Sequence, residues 1–160
     1  SEEVSSLRTS TAEIETFLVD NAASKDVAVG GYDAYEVSFT LKPQSEGKTK
    51  VTLCNACGEK FSLEFDTENM TVLADRSESG KMTRIKSFVL MPAAPLGLCN
   101  SSDGYDVDVF VDKCSVEVFV DGGRIAMTNL VFPSESFDNI VFESTGESEI
   151  SNMFIHKIGK

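Results

Sequence analysis

Residues 105–133, YDVDVFVDKCSVEVFVDGGRIAMTNLVFP, constrain the fold more than any other part of this chain. Val107, Val109 and Val111 alternate with Asp106, Asp108 and Asp112, and Val116, Val118 and Val120 alternate with Ser115, Glu117 and Asp121. Successive side chains on a strand point to opposite faces, so this spacing predicts two strands, each with one buried face. Asp121-Gly122-Gly123 supplies the backbone freedom of a tight hairpin, and 124–132 is expected to return as the partner strand. Phe119 stands out of phase with the valines. The strand that carries it is therefore expected to be covered on both sides, by the core on one and by a partner on the other.

Strand-like spacing continues along the chain at 14–19, 34–41, 50–54, 60–66, 70–75, 82–90, 106–112, 114–121, 138–144 and 149–158. Turn signals separate these segments: Ser45-Glu46-Gly47, Asn55 to Gly58, Ser77 to Gly80, Ser101 to Gly104 and Thr145-Gly146. Short strands at this density predict an all-β fold, a two-sheet antiparallel β-sandwich. Residues 9–17 also admit a short helical turn. The apolar stretch 91–100, MPAAPLGLCN, holds two prolines that disfavour a central strand. It is expected to cross between sheets or to pack on a partner surface.

A chain of 160 residues is the size of one ordinary domain. Its net charge of −12 weighs against nucleic acid, which demands clustered Lys and Arg. No apolar run approaches the ~20 residues of a membrane-spanning helix, and Ser1 does not open a basic-then-apolar leader. Cys54-Asn-Ala-Cys57 has the spacing of half a zinc site, but no second such pair exists and His156 is the single histidine. Neither a metal nor a cofactor is expected.

Three motifs in order resemble the C-terminal β-sandwich module of family 32 glycoside hydrolases, the invertases, levanases and inulinases. They are D-x-x-S-V-E-V-F-V-x-x-G beginning at Asp112, T-N-L-V-F-P beginning at Thr128, and D-R-S-x-S-G formed by Asp75, Arg76, Ser77, Ser79 and Gly80. Residues 3–8, EVSSLR, are similar to the segment by which such enzymes leave their catalytic propeller. The resemblance implies that 1–12 is a linker from a propeller this chain does not contain, and that 13–160 is the sandwich. It further implies a role in packing on and stabilising that propeller, with a fructan or sucrose-type substrate for the parent enzyme. A secreted, periplasmic or cell-surface location follows for the parent, with the cytoplasm left open, as is a homodimer contact. The apolar residues Val4, Leu7, Leu96, Leu98, Val131 and Phe132 are expected to form the propeller interface.

The family's catalytic segments contain Asn-Asp-Pro, Arg-Asp-Pro and Glu-Cys. Here no Asp precedes a proline, no Glu precedes a cysteine and no Arg precedes an Asp. Glycoside hydrolysis needs two carboxyls flanking the bond. Asp112 and Glu117 are the tempting pair, but acidic groups on strand faces are usually solvated or cap turns. No catalytic residue is expected in this chain. The competing role is a lectin-like module for fructans, in which Tyr32, Tyr35 or Tyr105 stacks on a sugar ring. Against it, tyrosines are commonly half-buried, and the favoured reading has each packed at a sandwich corner with its hydroxyl bonded.

Overall fold

The structure, a computed structural model, describes residues 8–30, 32–80, 93–99 and 103–158, and the side chains of all of these but 8, 9 and 98. In chain order the strands are β1 (Arg8–Ile14), β2 (Phe17–Asp20), β3 (Lys25–Ala28), β4 (Tyr35–Pro43), β5 (Lys48–Cys54), β6 (Lys60–Asp66), β7 (Thr71–Glu78), β8 (Ala93–Pro95), β9 (Tyr105–Val111), β10 (Ser115–Val120), β11 (Ile125–Leu130), β12 (Asn139–Ser144) and β13 (Glu147–Ile158). A single 3-10 turn, Leu96–Leu98, is the one helical element among the described residues. The larger sheet runs β1-β13-β4-β9-β10-β11, with β2 also paired to β13; the smaller runs β3-β12-β5-β6-β7-β8. Among the described residues every pairing between these strands is antiparallel. This is the sandwich that the alternating valines predict.

The valines define the inner face of the larger sheet. Ile155, Val37, Val109 and Val118 lie side by side across β13, β4, β9 and β10, all buried. Facing them from the smaller sheet are Phe61, Leu63, Phe65, Ile140 and Phe142. Phe39 meets Phe142 edge-on at 5.4 Å, and Tyr105 stacks with Phe65 at 6.3 Å, so aromatic pairs bridge the two layers. The hairpin between β10 and β11 turns through Asp121, Gly122 and Gly123, with φ of 51°, 70° and 98°. That left-handed path favours the two glycines found there.

Residues 9–17 form no helical turn: they run through β1 to Ile14 and into β2 at Phe17, so the break falls within the predicted strand 14–19. Ile14 pairs with Met153, whereas Phe17 pairs with Ile150, so the gap between β1 and β2 lies opposite a bulge in β13. Asn152, at φ 50°, bends β13 there. Two short strands thus follow one long bent partner. Residues 8–12, expected to be linker, are already part of the sheet through their pairing with β13. The predicted strand 82–90 lies outside the described residues. From the proline-bearing stretch, Ala93–Pro95 forms an edge strand on β7, where a missing N–H costs least.

Candidate functional site

Two of the three motifs meet in space. Asp75 accepts hydrogen bonds from the Ser77 N–H at 2.9 Å and the Ser77 hydroxyl at 2.6 Å, and the Ser79 hydroxyl donates to the Arg76 carbonyl at 2.7 Å. This tight turn delivers Gly80, at φ 138°, into a parallel bridge with Phe132. A Cβ at position 80 would collide with the Phe132 carbonyl oxygen. Nearby, the Arg76 guanidinium donates to the Leu130 carbonyl at 3.2 Å. D-R-S-x-S-G and T-N-L-V-F-P are therefore two halves of one clamp between the smaller sheet and the chain leaving β11.

A second clamp explains the C-x-x-C stretch. Asn55 Nδ2 donates to Glu59 at 3.0 Å and to the Glu135 carbonyl at 2.9 Å, while its oxygen accepts from the N–H groups of Cys57 and Glu59. Glu59 also accepts from the Ser134 N–H and hydroxyl at 2.9 and 2.8 Å. Burial alone would raise the Glu59 pKa, but the hydrogen bonds from Asn55 and Ser134 outweigh it and hold the carboxyl below its ordinary range. The turn between β5 and β6 is built around Asn55, with Cys57 and Cys114 exposed and Cys54 and Cys99 half-buried.

The tyrosine expectation requires correction at two positions. Tyr35 and Tyr105 are 0% and 1% exposed, so neither offers a ring face to a sugar. The Tyr35 hydroxyl donates to the Phe137 carbonyl at 2.7 Å, and burial, reinforced by Asp138 and Cys54, raises its pKa far above the ordinary phenol value. Both alternate in phase with the apolar residues of their strands, which places them inside. Tyr32 is half-buried beside a cleft of about 280 Å³ at one end of the sandwich. The Lys157 ammonium lies over its ring at 5.4 Å, and within the cleft Ser136 and Lys113 both engage Asp33.

The interface expectation also changes. Leu96 and Val131 are 0% exposed and belong to the domain's own core. Phe132 is half-buried against the Gly80 turn. Val4, Leu7 and the Leu98 side chain lie outside what the structure describes. Apolar surface of a different origin appears on the outward face of the larger sheet. Phe110 and Phe119 form an edge-on pair at 5.7 Å, and Phe154 stacks on His156 at 6.0 Å. Glu36 and His156 point away from the core yet are only 2% and 8% exposed, and the Thr11 hydroxyl lies 2.9 Å from His156 Nδ1. Phe119 was legible as the out-of-phase residue of its strand. Phe110 carries the same signal between Val109 and Val111.

Asp112 and Glu117 border one shallow depression of about 210 Å³ on that face. Asp112 caps the turn between β9 and β10, accepting from the N–H groups of Cys114 and Ser115 at 2.9 and 2.8 Å. Glu117 lies across from Phe110 and Thr128.

The description "Glycosyl hydrolases family 32 C terminal" matches residues 3–157 of this chain. The chain belongs to that family. Among its relatives, a levanase of Bacillus subtilis is 28% identical over 148 residues, covering 89% of this chain and 22% of the levanase. A sucrose-6-phosphate hydrolase of Streptococcus mutans is 27% identical over 112 residues, covering 70% of this chain and 22% of the hydrolase. The crystal structure of an exo-inulinase from Aspergillus awamori superposes with a TM-score of 0.77 at 23% identity, covering 98% of this chain and 31% of the inulinase, and shows the shared fold. The family 32 C-terminal domain seen here thus spans less than a third of each of these relatives.

Proposed function

We propose that this chain is the non-catalytic sandwich of a fructan- or sucrose-hydrolysing enzyme, and that it packs on the catalytic propeller through the outward face of the larger sheet. The observation that carries the reading is the set of half-buried aromatics Phe110, Phe119 and Phe154, spread over two neighbouring register rows of a face where alternation calls for polar residues. Burying them against a partner removes apolar surface from water at about 25 cal/mol per Å², and contacts between domains of one chain bury about 600–1,500 Å². Two acidic groups border this face, but Asp112 is committed to its turn and the chain lacks the family's catalytic segments. The extracellular exo-inulinase among the relatives supports a parent enzyme that works outside the cytoplasm.

Three observations test this. Incubated with sucrose, inulin and levan, the isolated chain should release no fructose above buffer; release that survives repurification and disappears in Glu117→Gln would overturn the non-catalytic role. The coding sequence upstream of Ser1 should encode a propeller with an Asn-Asp-Pro segment. In that longer protein, Phe110→Ser with Phe119→Ser should make the propeller and the sandwich unfold separately. A single unfolding transition at the unsubstituted temperature would rule out this face as the contact.

A further inference from the structure

We propose that the outward face of the smaller sheet is a binding trough for a neutral polyhydroxylated ligand, a short carbohydrate laid across β12, β5, β6 and β7. The site uses the face opposite the propeller contact proposed above and stands or falls independently of it. Its floor is one register row: Val141 pairs with Thr52, Thr52 with Ser62, and Ser62 with Asp75. Three of these four side chains are small, and the long residues of the adjoining rows, Lys50 and Glu143 on one side and Lys60 and Glu78 on the other, stand up as walls. The result is a trough of about 330 Å³. Four strands at the usual spacing make it about 14 Å across, and its volume falls at the small end of small-molecule sites.

The chemistry selects the ligand. Thr52 and Ser62 are only 8% and 7% exposed, yet neither hydroxyl hydrogen-bonds to another group among the described residues, and neither is sealed away from solvent. Each can donate one hydrogen bond and accept two. Lys50 and Glu143 likewise take part in no ion pair among the described residues, whereas Lys60 and Glu78 are joined at 3.0 Å. Two ammonium groups and three carboxylates, with Asp75, leave the trough close to neutral, so it favours neither a polyanion nor a strong cation. Donors and acceptors interleaved at strand spacing suit a ligand whose own groups both donate and accept, as sugar hydroxyls do. In the cleft at Tyr32, by contrast, Asp33 is already engaged by Ser136 and Lys113, and Asp112 by its own turn.

The test is an amide nitrogen–proton NMR titration of the isotopically labelled chain with three probes: nystose as a neutral fructan tetrasaccharide, sodium sulfate and spermine. Nystose should move the resonances of residues 50–54, 60–62, 75–77 and 141–143, and neither ion should do so. Losing one hydrogen bond weakens binding by about three- to tenfold, so Thr52→Val with Ser62→Ala should raise the dissociation constant by about tenfold or more. Lys50→Met, on an exposed position, provides a second variant expected to weaken binding if the double variant does not fold. Any of four outcomes overturns the site: no shifts with nystose, shifts confined to residues around Tyr32 and Lys113, equal or larger shifts with sulfate or spermine, or unchanged affinity in the variants.

Discussion

On the larger sheet, the outward row from β13 to β11 reads His156, Glu36, Phe110, Glu117, Thr128; on the smaller sheet, the outward row from β12 to β7 reads Val141, Thr52, Ser62, Asp75. Both rows are the outward half of the same alternation, and the core lies behind each of them. The difference lies in what fills the outward positions. Aromatic rings on the larger sheet gain only when another surface removes them from water. Small hydroxyl side chains on the smaller sheet form a floor that keeps hydrogen-bonding capacity for something in solution. A sandwich therefore has two outward faces that can be specialised separately, because neither choice disturbs the core between them.

Substitutions on either face test this contrast. The largest effect in the isolated chain should come from Leu96→Ser, which removes a fully buried side chain from the core; the expected loss is about 3 kcal/mol or more by urea unfolding. Phe119→Ser should cost the isolated chain less than half of that, chiefly the ring pair with Phe110, worth about 0.5–1.5 kcal/mol. If the two substitutions cost the same, the outward face of the larger sheet is a second core of this domain and not a contact surface.

Glu59→Gln tests the seam that joins the two sheets, apart from either face. The Glu59 carboxyl is held below its ordinary range when folded, so its contribution to stability is present above its unfolded pKa and lost as pH falls through the folded one. The variant should melt lower than the parent near pH 7, and the gap should close as the pH drops below about 4. A gap that is constant with pH would mean that the charge of Glu59 plays no part. The smallest effect belongs to Thr52→Val, which keeps the shape and removes a hydroxyl that no described residue uses. Thermal unfolding should shift by no more than about 0.5 kcal/mol. A larger loss would place that hydroxyl in the fold's own network, closing the trough to a ligand.

The strands of residues 105–133 were readable because valine alternation carries both strand identity and facing in one signal. The beginning of the chain was less readable. Nothing within residues 8–20 marks the break between β1 and β2, since its position is set by a bulge in β13, more than a hundred residues away. The functional candidates divide in the same way. Phe119 declared itself by breaking phase. Leu96 and Val131 looked like unclaimed apolar residues next to prolines, and only the packing of the sheets showed that the core claims them. Tyr35 and Tyr105 were in phase with buried neighbours, and that local signal outweighed their polar hydroxyls.

By itself the sequence determined which residues form most strands and which way their side chains face, because period-two alternation and turn residues are local properties; its motifs carried the resemblance to the family. The tertiary structure alone decided which distant rows become neighbours. Thr52, Ser62 and Asp75 come together through the successive pairing of β5, β6 and β7, and Val141 joins them only because β12 inserts beside β5. Gly80 likewise meets Phe132 only in the folded chain. Pairing partners are chosen by the burial of both sheets at once, a global condition that no short stretch of chain encodes.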